Sequence, residues 1–374
     1  MPAVRVPAAV LARAQESTQT IAALTSVYLD AAELIGGRSA LLGLPAPGRM
    51  SAGGATRLME GSGGWCALTL SRPDDLDAVP ALIGVDALPD PLWPAIEGFV
   101  RAVGVTEFAA RARLLGLPVG VLGEGRGATP VLIHELGHRA PAPRPRELLV
   151  VDLSSMWAGP LCGRVLADAG ATVVKVESAA RPDGTRGGPP AFFDWVNAGK
   201  LSYDADFEKP GKLRRLLTAA DVVIEGSRPA ALQRRGLGPA QVSGRPGRVW
   251  ARITGHGIDG DRGQWVAFGD DAAVAGGLVD AGADGPQFCA DALADPLTGI
   301  EAARAVLESL GRGGGELLDV SMAGVAADYA GDAALPGDEK DCGTVPSVPT
   351  AAAELGAHND VVERLVAARL GVPC

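Results

Sequence analysis

From Leu148 onward the hydrophobic and polar positions change period in a regular way. Leu148 to Leu153 is a short apolar run bounded by a turn. Pro160 then occupies a plausible first helical position, apolar residues recur at helical spacing to Ala169, and Gly170 supplies a stop before a second apolar run, Thr172 to Val176. This spacing predicts a βαβ unit. A helical segment around Lys212 to Ala219 leads into a third strand at Val222–Ile224, which extends the unit into a parallel, Rossmann-like sheet with a ligand expected at its switch point. A glycine-rich turn at 311–315 precedes a further strand, Glu316 to Val320, and the Gly-, Pro-, Asp- and Ser-rich stretch 336–350 reads as a surface connection.

Upstream, Trp65 to Leu70 reads as a strand, Asp75 to Leu82 as a helix, and Pro91 to Val103 and Thr106 to Leu115 as two more helices, together a small α+β unit. Residues 139–147 hold a Pro-rich run that can continue neither a helix nor a central strand. The expected division is therefore a small α+β domain over 1–138, a linker over 139–147 and a Rossmann-like domain over 148–374. A length of 374 residues agrees with two folding units. With 47% hydrophobic but only 4% aromatic residues, the core must rest on Ala, Val and Leu in close-packed strands and helices, which favours the α/β class.

A net charge of −10 with no Lys/Arg stripe argues against a nucleic-acid partner. Five scattered cysteines, Cys66, Cys162, Cys289, Cys342 and Cys374, without metal-ligand spacing, suit a reducing compartment. Neither a leader pattern nor a membrane-length apolar stretch is seen, so the expectation is a cytoplasmic protein with no membrane partner. Three short motifs invite other readings. His134-Glu135-Leu136-Gly137-His138 matches the zinc-binding H-E-x-x-H pattern, but Gly137, Pro141 and Pro143 oppose the helix it needs, and no metal site is expected. The 123–127 run Gly-Glu-Gly-Arg-Gly lacks the Lys-Ser/Thr of a phosphate loop and reads as a flexible loop. The turn Ser154–Gly159 lacks G-x-G-x-x-G, which argues against a dinucleotide-dependent dehydrogenase.

One ordered set of segments points elsewhere. Leu148–Ser154, Ala158-Gly159-Pro160 and Leu166–Glu177 are followed by Asn197-Ala198-Gly199-Lys200, Ala220–Glu225, Ser227-Arg228-Pro229, Arg235–Gly238 and Ile253–Gly257, then by Gly315–Ser321 and Leu355–Asn359. In that order they resemble the family III CoA-transferases, a group that includes formyl-CoA transferase and the α-methylacyl-CoA racemases. Gly63–Leu68 and Gly116–Gly120 resemble the family's small domain, which normally lies late in the chain. Its position here suggests a circular permutation joined at 139–147, which closely spaced surface termini would permit.

The resemblance implies an α/β fold of a Rossmann-like domain with a small domain, an interlocked homodimer, and transfer of CoA between carboxylic acids with acyl-CoA as substrate and no tightly bound cofactor. It places Asp295, in Ala294-Asp295-Pro296-Leu297-Thr298-Gly299, at the nucleophile position; by pattern alone an Asp ahead of Pro296 is an N-cap. Asp270, with Asp271 as the alternative, falls where the family carries a second acidic group that could orient the acyl group or exchange an α-proton. Lys200, Arg228 and Arg234 fall on positions near the CoA nucleotide, whose phosphates need cations. Met156 and Trp157 lie in the loop where the family packs CoA, or are simply packing residues, and Gly53 and Gly54 loosely match the glycine loop over the active site. Racemisation of an acyl-CoA and silent CoA binding are the alternative functions; residues 226–252 contain no His to serve as a racemase base.

Overall fold

The computed structural model describes residues 4–141, 143–332, 338–348 and 350–372. Cys374 and part of the expected 336–350 connection lie outside the described residues. The chain opens with β1 (Arg5–Pro7), α1 (Ala8–Thr25) and α2 (Ala31–Leu42), then enters a small unit of β2 (Thr56–Gly61), β3 (Gly64–Thr69), α3 (Pro73–Asp77), α4 (Val79–Ile83), α5 (Leu92–Val103), α6 (Val105–Leu114) and β4 (Val119–Val121). The expected single helix over 75–82 is broken at Ala78. Pro80 has no N–H to continue the helical bonding and starts a second short helix instead.

The large unit follows: β5 (Val131–Glu135), β6 (Leu149–Asp152), α7 (Ala158–Asp168), β7 (Thr172–Glu177), α8 (Pro190–Asn197), β8 (Leu201–Asp204), α9 (Gly211–Ala219), β9 (Val222–Glu225), α10 (Pro229–Gln233) and β10 (Val249–Thr254). It continues through α11 (Gly269–Gly276), the hairpin β11 (Val279–Gly282) and β12 (Gly285–Phe288), α12 (Ala294–Gly311), β13 (Glu316–Ser321), α13 (Met322–Asp332), β14 (Glu339–Asp341) and α14 (Asn359–Leu370).

Seven strands form one sheet in the order β5-β13-β10-β9-β6-β7-β8, parallel except for the edge strand β5. Alternation along each strand explains why helices cover both faces. In β6, Val150 enters the core beneath α7 and α12, while Leu149 and Val151 enter the core beneath α9 and α14. From β6 the chain moves outward to β7 and β8, then reverses past β6 to β9, β10 and β13, so the switch point lies between β6 and β9.

The cores do not divide at the Pro-rich run. The buried face of α1, with Val10, Leu11, Ala14 and Ile21, packs into the same core as α7 and α12, and α2 joins it through Leu34 and Ile35. Ser17 of α1 donates to Glu301 of α12 at 2.6 Å, and β1 pairs antiparallel with β14. The N-terminal helices and β5 thus belong to the large unit, because their apolar faces are complemented there. The separate small core comprises β3, β4 and α3–α6, including Leu68, Ile96 and Phe108. Its sheet, β2-β3-β4, lies against α11 through Leu58, Ala67 and Val274, a cluster that Phe288 of β12 joins. Among the described residues no helix is long and apolar enough to cross a membrane.

Candidate active site

Asp295 stands in the first turn of α12, and two other helices begin beside it. The N–H of Gly269, at the start of α11, donates to Asp295 Oδ2 at 3.1 Å, and the N–H of Ala158, at the start of α7, donates to the same carboxyl group. Three helix N-termini therefore favour a negative charge at one point. Burial and the neighbouring charge of Asp270 act more strongly in the other direction, and Asp295 is pushed up to about 7. The loop leading to it is strained: Ala290 and Ala292 have φ of 55° and 45°, left-handed values unfavourable for residues bearing a Cβ.

Of the two adjacent acids on α11, the structure turns Asp270 toward Asp295. Asp270 accepts from Thr56 Oγ1 at 3.1 Å and from the Ala292 N–H at 3.0 Å; burial and the nearby Asp291 raise it to about 6. Asp271 points instead into the small sheet, where Thr69 Oγ1 donates at 2.7 Å and the Phe268 N–H at 3.0 Å. It is fully buried, its Oδ2 has no partner among the described residues, and burial raises it to about 8. Close contact between α11 and β4 imposes this split. A side chain on Gly120 would overlap the Asp271 carbonyl, so only glycine lets the sheet approach.

Sequence reasoning missed two charged members of the site, Arg38 and Asp291. Arg38 Nη1 donates to Asp291 Oδ1 and Oδ2 at 2.7 and 2.8 Å, and its charge acts on both Asp270 and Asp295. Asp291 lies only four positions before Asp295, a proximity that was a usable signal; Arg38 lies more than 250 positions away and gave none. The Gly53–Gly54 turn passes beside Arg38: a Cβ on Gly53 would stand 3.5 Å from Arg38 Nη2, and Gly54 has a φ of 77°.

The expected CoA-contacting residues separate into two groups. Lys200 is buried, and its Nζ donates to Asp152 Oδ2 at 3.0 Å, Pro160 O at 2.8 Å and Asn197 Oδ1 at 3.0 Å. All three ammonium donors are committed inside the fold, so the expectation that Lys200 meets a CoA phosphate is corrected: it braces β6 against α7. Trp157 is likewise in the core, with ring centroids 5.3 Å from Phe192 and 6.5 Å from Trp195, and offers no face to a ligand. Met156 stays partly exposed in the loop after β6, at a φ of 73°, with its N–H bonded to Asp183. Arg228 and Arg234 are exposed beyond β9, with no side-chain hydrogen bond or ion pair among the described residues. Met156 and Arg228 thus stand at the carboxyl ends of β6 and β9, the two strands at the switch point.

Residues of the H-E-x-x-H pattern do not form a helix. Val131–Glu135 is strand β5, and His134 Nε2 lies 3.0 Å from Asp319 Oδ2 on β13. His256 is buried against Trp265, and burial lowers it to about 3.

Fold and site together define a doubly wound α/β protein with an acidic site outside the carboxyl ends of its parallel strands. The chain belongs to CoA-transferase family III, whose family model matches residues 146–341. It is 35% identical over 176 residues to the probable fatty acyl-CoA transferase Rv3272 of Mycobacterium tuberculosis, covering 43% of this chain and 45% of that protein. A crystal structure of Rv3272 superposes with a TM-score of 0.48 at 32% identity, over 52% of this chain and 57% of that one. The chain is also 31% identical over 197 residues to the succinate–glutarate CoA-transferase of Agrobacterium fabrum (46% and 49% covered) and 35% identical over 116 residues to human α-methylacyl-CoA racemase (30% and 28% covered). It spans about half the length, or less, of these curated relatives.

Proposed function

We propose that the protein transfers CoA from an acyl-CoA to a carboxylic acid, with Asp295 as the nucleophile. One observation carries this reading: a carboxylate at three helix N-termini, raised toward neutrality by burial and by Asp270, in the segment that resembles the one bearing the family's reactive acid. An Asp295 oxygen attacks the thioester carbonyl, the C–S bond breaks, and CoA leaves as thiolate from a mixed anhydride. The thiolate then attacks the aspartyl carbonyl, releasing the donor acid and leaving an aspartyl-CoA thioester. The acceptor carboxylate attacks that thioester in turn, and the thiolate recovers the acceptor acyl group, so Asp295 ends unchanged. The N–H groups of Gly269 and Ala158 hold the attacking carboxylate in place between these steps.

CoA itself would lie across the β6–β9 switch point, with Met156 along one side and the uncommitted charges of Arg228 and Arg234 available to its phosphates. Incubation with a panel of acyl-CoAs, trapping with hydroxylamine and intact-protein mass spectrometry test the reading. A hydroxamate that is lost in Asp295→Ala establishes the transferase; none with any acyl-CoA, despite CoA binding, sinks it.

The Asp270–Asp295 pair supports a second reading, exchange of an α-proton of an acyl-CoA, since two facing acids near neutrality could relay that proton. His256 is a poor partner base, because burial against Trp265 lowers its proton affinity. Wash-in of deuterium at the α-carbon without any acceptor acid would favour that reading.

The permuted order of domains is part of the same proposal. It is supported by the small unit preceding β6 and by the β1–β14 pairing, which brings the start of the chain to the region after α13. We further propose the interlocked homodimer that the family resemblance implies, with sedimentation testing the dimer, and a cytoplasmic location, supported by the unpaired thiols of Cys66, Cys162, Cys289 and Cys342.

A further inference from the structure

Three carboxylates, Asp270, Asp291 and Asp295, meet in one partly buried space. The proposed reaction must bring a fourth into it, that of the acid accepting CoA. Burial and like charge both oppose this entry, so the site requires a cation with free donors. Arg38 has them. Its guanidinium spends only Nη1 on Asp291, at 2.7 and 2.8 Å. The remaining fork, Nε with Nη2, has no acceptor among the described residues, and neither atom is sealed from solvent. The side chain is 25% exposed, whereas that of Asp291 is only 1% exposed, so the anchored edge faces inward and the free edge remains reachable.

Three features hold that fork in one orientation. Asp291 accepts from one edge of the guanidinium, and the ring centroids of Phe192 and Trp157 lie 5.4 and 5.9 Å from its carbon. Above it, residue 53 lacks a side chain; a Cβ there would already stand 3.5 Å from Nη2, and anything larger would cover the fork. A planar guanidinium presenting two parallel N–H groups matches a carboxylate in bidentate fashion.

We propose that the Nε–Nη2 fork of Arg38 is the binding site for the carboxylate of the acid that accepts CoA, with Asp291 as the residue that positions the guanidinium and Gly53 as the opening. This rests on the transfer reading for its catalytic meaning, but the site itself binds a free carboxylate whether or not transfer occurs.

The test uses the full-length protein, its Arg38→Gln and Arg38→Lys variants, and acetate and succinate as probe acids. Binding is followed by saturation-transfer NMR and, where transfer is detected, KM values for acceptor and acyl-CoA are measured separately. Arg38→Gln is expected to abolish probe-acid binding. Arg38→Lys keeps a charge beside Asp291 but loses the fork, and is expected to raise the acceptor KM about tenfold or more beyond any change in the KM for acyl-CoA. If Arg38→Gln does not fold, Arg38→Lys decides by the same two measurements. Wild-type binding of the acids without any hydroxylamine-trapped adduct would remove the transfer reading and leave the carboxylate site standing. Unchanged acid binding and an unchanged acceptor KM in the folded variants would overturn the site itself.

Discussion

The N–H of Gly269 donates to Oδ2 of Asp295 at 3.1 Å, tying the start of α11 to the start of α12 across 26 positions of chain. No side chain fits at 269, because a Cβ would overlap both the Ala292 carbonyl oxygen and Asp295 Oδ2. Gly269→Ala is therefore expected to fold with a loss of about 1–3 kcal/mol while displacing the carboxylate, lowering kcat/KM for CoA transfer about 100-fold. Steady-state kinetics alongside urea denaturation separates the two effects; wild-type kcat/KM in this variant would remove Asp295 from the reaction.

On the proposed mechanism activity should rise with pH across the range where Asp295 ionises, since the mechanism needs its carboxylate form and burial and Asp270 raise it to about 7. The acids titrate as a coupled pair, Asp270 being raised to about 6. Asp270→Asn removes a like charge and is expected to move the acid limb of the kcat/KM profile to lower pH. A limb that stays in place would mean that the two acids do not face one another in solution.

Stability should carry its own pH signature from Asp271. Burial raises this carboxyl to about 8 from its ordinary 3.8, so between those values the folded state holds a proton that the unfolded state has lost. Folding stability from this group is full below the unfolded value and falls as pH rises through the window. Asp271→Asn keeps the carbonyl acceptor for Thr69 and removes the charge. Urea midpoints at pH 5 and pH 8 should differ less in the variant, by the equivalent of about 1 kcal/mol or more.

Lys200 and Arg228 should behave oppositely. Lys200→Met strips the buried Asp152 of its ion pair and is expected to destabilise the fold by about 3–5 kcal/mol. Arg228→Ala and Arg234→Ala remove exposed charges, should leave the melting temperature within about a degree, and should weaken CoA binding several-fold with a reduced salt dependence. Calorimetry and CoA titration at two salt concentrations distinguish the pair. Unchanged CoA affinity in both arginine variants would place the nucleotide elsewhere.

Much of the scaffold is legible along the chain, and for a local reason. In β6 and β9, apolar residues on both faces mark strands buried on two sides, and Pro160 and Gly170 bracket the intervening helix α7. The helix start at Asp295 is legible too, since Pro296 follows it at an early helical position. Where local signals compete with tertiary contacts, they mislead. Lys200 reads, by resemblance, as a cation near the CoA nucleotide until Asp152, Pro160 and Asn197 close around it, and residues 8–25 read as part of the small unit until their apolar face meets α12.

By itself the sequence determined the family and the parallel βαβ core around β6, α7, β7 and β9, because each rests on local runs of residues kept in order along the chain. Only the tertiary structure decided which of Asp270 and Asp271 faces Asp295, whether a lysine brings its charge to the surface or the interior, and that Arg38 reaches the site. Those outcomes depend on distances between residues up to 257 positions apart, as for Arg38 and Asp295. Hydrophobic periodicity specifies that a face will be buried; packing specifies what it is buried against, and with it the charges that set the chemistry.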